Sequence, residues 1–317
     1  MNRDLIILAC DIGGTRIKLG VVRGKQLLAR SEIAARASEG LEAALERITE
    51  ATKKLCGKNR VDLSSLTGFG LSFPGIIEPR TEKILSTPAG KFDDAKLLDV
   101  PKIVGALLGL PTRICNDANA ALAGEWRFGA VRGCRSAVMV TLGTGIGSSV
   151  ILDGVPIRGQ HGLAGNLGGH LTINLNGRAC LCGNVGCSET EASTWALPSL
   201  VRAHPNFSSS RLAQEVVLDY AAVFRVAALR DRVAVKIRGH VLRVWSATLV
   251  NLIHAYDPEM AVIGGGVMRS GKIILPAMRH YVARHAWTPW GKVKIKSAAL
   301  GNDAGLLGVA SLFAETK

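Results

Sequence analysis

The sequence predicts an α/β protein of two lobes, and three observations predict it. The chain has 317 residues, too many for one small core and enough for two domains of ordinary size. Hydrophobic residues make up 48%, charged residues 20% and aromatic residues 5%, with 36 glycines, which is the profile of a glycine-turned α/β enzyme rather than of a disordered or fibrous chain. The third is a repeated plan. At 5–22, and again at 137–151, an apolar run enters a glycine-rich turn and a second apolar run returns beside it.

The elements follow in order. The run from Leu5 to Cys10 reads as a buried first strand; from Met1 onward the start is too short, and lacks the basic and long apolar regions, for a signal peptide. Asp11-Ile12-Gly13-Gly14-Thr15 then turns the chain into a second strand from Ile17 to Val22. Leu41, Ala44, Leu45, Ile48 and Leu55 mark one face of a helix over 40–55. Pro111 and Pro258 each announce a strand, at Thr112 to Cys115 and at Met260 to Ile263. Ala137 to Leu142 and Ser148 to Ile151 flank the second glycine turn, and helices are expected over 241–254 and 272–285. The lobes are expected at 1–118, completed by 300–317, and at 119–299, with crossings near Asn119 and Ala299.

The net charge of +14 fits nucleic acid, anionic small molecules or a basic solvated surface. The basic residues are spread. Their densest group, Arg225, Arg230, Arg232, Lys236, Arg238 and Arg243, alternates with Val223, Val226, Leu229, Val233 and Ile237, as the wet face of one amphipathic helix would. No specific nucleic-acid role is therefore expected. No apolar run is long enough for a bilayer, and seven cysteines, an odd number, suggest a reducing cytoplasm.

Four motifs carry chemistry. Cys180, Cys182 and Cys187 crowd one glycine-rich loop, and His170 lies ten positions before the first, a Cys3His set that suits a closed, structural tetrahedral zinc site; the alternative is unrelated buried thiols or a disulfide. The two hairpin turns, with Gly13, Gly14 and Thr15 in one and Thr144 and Gly145 in the other, let backbone amides approach an anion. Ile263-Gly264-Gly265-Gly266-Val267 sits at a strand-to-helix junction, where it packs against a nucleotide or is a tight turn. Asn116 and Asp117 end a strand and open a helix, so Asp117 is either a proton acceptor or an N-cap.

Taken in order, DIGGT at 11–15, NDANAA at 116–121, LGTGIG at 142–147, AGNLGGH at 164–170, CLCGNVGCSE at 180–189, IGGGV at 263–267 and NDAGLLGVA at 302–310 closely resemble the signature of the ROK family. That family holds bacterial sugar kinases and sugar-responsive repressors. The resemblance implies an actin-like, hexokinase-type (ribonuclease H-like) fold of two lobes with an interlobe cleft, ATP with magnesium as phosphoryl donor, and structural zinc in the larger lobe. It makes Asp117 the general base, with Asn116, Glu189 and His170 on the sugar, His170 using its other ring nitrogen for zinc. Gly13, Gly14, Thr15, Thr144 and Gly145 would face phosphates, Asp11 would hold magnesium through water, and Gly265 and Gly266 would lie against adenosine. Gly75, after Ser72-Phe73-Pro74, would turn the chain near the sugar, and the segment from Ser86 to Asp94 would form the opposite wall; each has a plain turn or loop as its alternative.

One departure stands out. Where the kinases carry glutamate in A-G-E-x-G-H, this chain has Asn166, with one additional residue before His170. An amide offers one acceptor and one donor where a carboxylate offers two acceptors, which points to a substrate other than plain glucose: an N-acyl amino sugar, a ketohexose or an acidic sugar. The expected function is an ATP-dependent carbohydrate kinase, assembled as a homodimer or higher homo-oligomer. The alternative is a sugar-binding regulator or sensor on the same scaffold, against which the lack of an N-terminal DNA-binding segment is expected to count.

Overall fold

The computed structural model describes residues 5–88 and 90–314, so Met1 to Asp4, ahead of the expected first strand, lie outside it. Contacts divide the chain into two units. The first comprises 1–133, 158–164 and 299–317, and the second 134–157 and 165–298. The expected division at 118 and the unit boundary at 133 differ by one helix, which stays with the first unit.

The first unit is built on a five-stranded sheet. Its strands are β1 (Ile6–Ile12), β2 (Arg16–Arg23), β3 (Gln26–Ala34), β4 (Gly68–Phe73) and, after a small hairpin of β5 (Ile76–Ile77) and β6 (Ile84–Ser86), β7 (Thr112–Asn116). The order is β3-β2-β1-β4-β7, antiparallel among the first three and parallel from β1 to β4 to β7. Two helices, α1 (Leu41–Asn59) and α2 (Val100–Leu108), bury Leu41, Leu45, Ile48, Val100 and Val104 in the same core as Leu8, Leu71 and Phe73. Alternate β1 residues Ile7 and Ala9 face a smaller apolar cluster with Leu306 and Val309 on the sheet's other side, as period-2 alternation requires.

That other side carries the helix holding Asp117. Helix α3 (Asp117–Phe128) packs on the last helix of the chain, Ala304–Ser311, through glycines at the crossing. A Cβ on Gly124 would lie 2.3 Å from Ala304 O, and one on Gly308 would lie 1.7 Å from Ala120 O, so only glycine permits this approach. The buried Glu125 carboxylate ties the pair, accepting from Leu300 N and Ala130 N at 2.7 Å each. Asn119, expected at a crossing, lies in the first turn of α3 instead, because the helix runs uninterrupted to Phe128.

The second unit repeats the sheet plan with β8 (Ala137–Leu142), β9 (Ile146–Leu152), β10 (Val155–Pro156), β11 (Met260–Gly264) and β12 (Lys294–Ser297). Its order is β10-β9-β8-β11-β12, again antiparallel among the first three and parallel among the rest. The helices are α4 (Ser188–Ala192), α5 (Leu197–Arg202), α6 (Tyr220–Ala228), α7 (Arg232–Tyr256) and α8 (Gly271–His285), followed in the first unit by α9 (Ala304–Ser311). One basic amphipathic helix was expected across 223–243; the structure has two. Arg230 takes a left-handed conformation at φ 62°, and Asp231 caps α7 by accepting from Val233 N and Ala234 N. Among the described residues no helix is long and apolar enough to cross a membrane.

Candidate active site

In the first unit β1, β4 and β7 are parallel and adjacent, so the segments that follow them share one edge of the sheet. Asp11 is in register with Ser72, and Ser72 with Cys115. The motifs at 11–15, 72–75 and 116–121 are thereby brought together. Asp11 accepts from Ser72 Oγ at 2.7 Å and pairs with Lys18 Nζ, across the hairpin, at 3.0 Å. A Cβ on Gly305 would lie 2.8 Å from the Asp11 carboxylate, so the glycine in the C-terminal motif lets α9 run beneath it.

The cap of α3 is Asn116. Its Oδ1 accepts from Ala118 N at 2.9 Å and Asn119 N at 3.3 Å, and its Nδ2 donates to Gly75 O at 3.0 Å. Asn116 is the cap, and Asp117 shares only one helix-start amide with it, its Oδ1 accepting from Ala118 N at 2.8 Å. Asp117 is exposed, although the protein packed around it still weighs on its carboxyl by desolvation. That desolvation, followed by the charge of Asp11, pushes its pKa up to about 6 against hydrogen bonds that pull it down. Water on the open face screens both influences, which makes about 6 a ceiling. Gly75 is required by packing, since a Cβ there would meet Ser86 O at 2.2 Å; the close turn presents its carbonyl to Asn116.

The first hairpin tip closes through Gly13 N donating to Arg16 O at 2.9 Å, with Thr15 exposed. The second unit presents a matching tip at 143–145. There Gly143 N donates to Gly145 O at 3.0 Å, and the backbone amides of Thr194 and Trp195 donate to Gly143 O and Thr144 O at 3.1 and 3.2 Å. Glu189, in the first turn of α4, accepts from Ile146 N at 2.9 Å and from Trp195 Nε1 at 3.3 Å. It braces this tip, and a Cβ on Gly145 would lie 2.5 Å from its Oε2. Gly265 owes its identity to a φ of 93° and to Leu142 O, which a Cβ would meet at 2.2 Å. Gly266 has no such constraint: nothing lies within 4 Å of its Cβ position.

Ser148, which no sequence motif singles out, organises the loop around Asn166. Its hydroxyl donates to Gly165 O at 2.5 Å and accepts from Gly168 N at 2.7 Å. Gly169 then lies so close to β9 that a Cβ would meet Ile146 O at 1.9 Å. This packing delivers His170 to the thiols.

Among the described residues His170, Cys180, Cys182 and Cys187 form the one group of metal-ligating type, with ligand atoms all within 4.8 Å of one another. Cys180 Sγ is 3.6 Å from His170 Nδ1, and Cys182 Sγ is 3.7 Å from Cys187 Sγ. Tetrahedral zinc with ordinary bond lengths sets S···N and S···S edges of about 3.6 and 3.7 Å. The thiols are free, not bridged. Burial pushes Cys187 up to about 12, helped by the two neighbouring sulfurs, whereas backbone and side-chain hydrogen bonds outweigh burial and bring Cys180 down to about 7. Three thiolates this close need a cation to coexist, so the donor set fits zinc. With Nδ1 turned to the sulfurs, the Nε2 edge of His170 remains for another partner.

Sequence reasoning missed Lys18, Ser72, Glu125 and Ser148 as supporting residues. Their signal lies in strand pairing and in contacts 17 to 175 residues apart, except for Lys18, seven residues from Asp11 across the hairpin.

Two sheets of the same 3-2-1-4-5 plan, one with a carboxylate beside a glycine hairpin and the other with a second glycine hairpin and a Cys3His cluster, define a protein of the actin-like class. Within that class the chain belongs to the ROK family, whose model matches residues 7–316. It is 32% identical over 313 residues to a glucokinase of Halalkalibacterium halodurans, covering 96% of this chain and 94% of the relative. A ROK family glucokinase from Streptomyces griseus, solved in complex with glucose and AMPPNP, superposes with a TM-score of 0.81 at 29% identity over 97% of this chain and 98% of that one. A ROK hexokinase from Thermus thermophilus gives 0.78 at 32% identity over 99% and 100%.

Proposed function

We propose that this protein is an ATP-dependent sugar kinase in which Asp117 is the general base. The observation that carries the reading is that Asn116, not Asp117, caps α3, which leaves a carboxylate with raised pKa and one oxygen uncommitted to the helix start at the sheet edge that holds the first glycine hairpin. In the reaction Asp117 takes the proton of the acceptor hydroxyl as its oxygen attacks the terminal phosphorus of ATP. ADP leaves with the electron pair of the broken bond. Phosphoryl transfer asks chiefly for alignment and charge neutralisation. Gly14 and Thr15 in the first unit, and Thr144 and Gly145 in the second, would each supply backbone or hydroxyl donors for phosphates, Gly13, whose N–H goes to Arg16 O, would shape the first turn, and Gly265 and Gly266 would open a face for adenosine.

Asp11 fits a role beside magnesium through water, since Lys18 and Ser72 already hold its two oxygens; the ion would supply charge neutralisation at the phosphates. Zinc on His170, Cys180, Cys182 and Cys187 would fix the loop that carries His170 and Glu189. Asn116 and Gly75 in the first unit, and Asn166, His170 and Glu189 in the second, are each assigned to the sugar. Glu189 gives its oxygens' remaining lone pairs to this task, and Asn116 its remaining amide hydrogen. The amide of Asn166 supports an N-acyl amino sugar, a ketohexose or an acidic sugar over glucose. ATP supply and seven free thiols support a cytoplasmic location.

The test is ADP release from ATP across a panel of these sugars and glucose, with Asp117→Asn as control. Sugar-dependent turnover that the substitution abolishes is the expected result. Sugar binding with no turnover on any substrate would support the regulator instead, and a marked preference for glucose would remove the role given to Asn166.

A further inference from the structure

Lys91 stands over the tip of the first glycine hairpin. A Cβ placed on Gly14 would lie 2.7 Å from its Nζ, 3.5 Å from its Cε and 3.6 Å from its Cδ, so the ammonium occupies the space that the missing side chain leaves. Its position is built. The next residue, Phe92, is 1% exposed, takes a left-handed conformation at φ 54°, donates its N–H to Ala37 O at 2.8 Å and packs its ring 5.8 Å from that of Phe73. Two residues further, the Asp94 carboxylate accepts from Leu41 N and Glu42 N at the start of α1. These anchors fix the loop, and they leave the Asp94 charge committed elsewhere.

The charge of Lys91 is uncommitted. Lys18, the other lysine of this edge, is paired with Asp11, whereas no ion pair of Lys91 occurs among the described residues. A half-buried ammonium aimed at a glycine tip is an arrangement for an anion. The tip is the place the kinase reading assigns to the phosphates of ATP.

Resting on that reading, we propose that Lys91 is a ligand of the phosphoryl group being transferred, holding the terminal phosphate of ATP over Gly14. It keeps its proton throughout. The hydroxyl proton goes to Asp117, the new P–O bond forms to the sugar, the bond to the bridging oxygen breaks toward ADP, and the ammonium offsets the charge carried by the equatorial oxygens.

The experiment compares binding of a non-hydrolysable ATP analogue and of ADP, each with magnesium, by calorimetry on the wild type, Lys91→Met and Lys91→Arg. Losing a charge-assisted contact to the terminal phosphate lowers affinity for the analogue about 10- to 100-fold in Lys91→Met, while affinity for ADP moves about threefold or less. Lys91→Arg keeps most of the discrimination, and thermal unfolding verifies that both variants fold. In turnover, kcat falls in Lys91→Met with the sugar KM nearly unchanged. Equal weakening of both nucleotides, or of neither, overturns the proposal, as does a loss confined to an acidic sugar. If the wild type turns over no sugar but its preference for the analogue disappears in Lys91→Met, the kinase reading fails and the phosphate contact stands. A wild type that binds neither nucleotide overturns both.

Discussion

Replacing Asp117 with asparagine removes the proposed base and little else. The side chain keeps its shape, the Asn116 cap of α3 is untouched, and an amide oxygen can still accept from Ala118 N. A positioned base contributes about 10²- to 10⁴-fold, or about 3–5 kcal/mol of barrier, so kcat should fall by that factor with nucleotide affinity nearly unchanged. The wild-type pH profile tests the same group independently. At the ceiling of about 6, Asp117 would be about nine-tenths ionised at pH 7 and about one-tenth at pH 5, so kcat/KM should drop between them by at most about tenfold. Lys18→Met should move the inflection upward, because the Asp11 charge that raises Asp117 then loses its partner at 3.0 Å.

Stability should move the opposite way to activity. The native Asp117 holds its proton more tightly than an aspartate at the ordinary 3.8, so its contribution to stability falls as pH rises from about 4 to about 6 and stays lowered above. Asp117→Asn escapes this cost. Its melting temperature should match the wild type near pH 4 and exceed it by about 1–3 °C at pH 7.5. Coupled ADP release and thermal unfolding across pH supply both readouts. An Asp117→Asn enzyme keeping more than about a tenth of wild-type kcat, or a wild-type profile flat from pH 5 to 7, would refute the reasoning.

Two further outcomes follow from the packing. Cys187, fully buried among the metal-type ligands, should be indispensable to the site: purified wild type should carry about one zinc per chain, and Cys187→Ser should lose most of it and raise the sugar KM about tenfold or more, as measured by elemental analysis and kinetics. Undiminished zinc in that variant would assign the metal elsewhere. Gly308→Ala places a Cβ 1.7 Å from Ala120 O, forcing α3 and α9 apart at a cost of about 2–4 kcal/mol in urea unfolding; an unchanged midpoint would mean the crossing yields freely.

Much of this was legible from residue spacing because the informative features are local. The β1–β2 and β8–β9 hairpins announce themselves as apolar runs around glycine turns, and the Cys3His group as three thiols within eight residues. Strand β3 was not legible, since Gln26–Ala34 mixes polar residues into an edge strand that, among the described residues, pairs with β2 alone. Helix α9 was legible as a motif but not as a support for Asp117, because its role comes from glycines that matter only once α3 lies against them. The break in the basic stretch at 229–231 was hidden for a different reason: Arg230 is an unusual residue for a left-handed turn, and the Asp231 cap becomes decisive only with its hydrogen bonds. Residue type also left Asn116 and Asp117 equivalent as caps. Geometry separates them, since the Asn116 amide reaches both free N–H groups and Gly75 O at once.

The metal-type cluster and the second glycine hairpin are mechanically one piece. Cys187 is the residue before α4, the Ser188 hydroxyl is 2.6 Å from Thr248 Oγ1 on α7, and Glu189 carries the carboxylate that accepts from Ile146 N behind the hairpin tip. A shift of the thiol loop must therefore pass to 143–146 through two peptide bonds and one charge-assisted hydrogen bond, with Thr248 as the pivot. Glu191, on the same short helix, is 3.3 Å from His240 Nε2 and adds a second tie to α7. Loss of zinc should then be felt at the tip proposed to face the phosphates as well as at His170. Nucleotide affinity and sugar affinity should decline together on chelation, whereas substitution at Asn166, which is not one of these links, should alter the sugar alone.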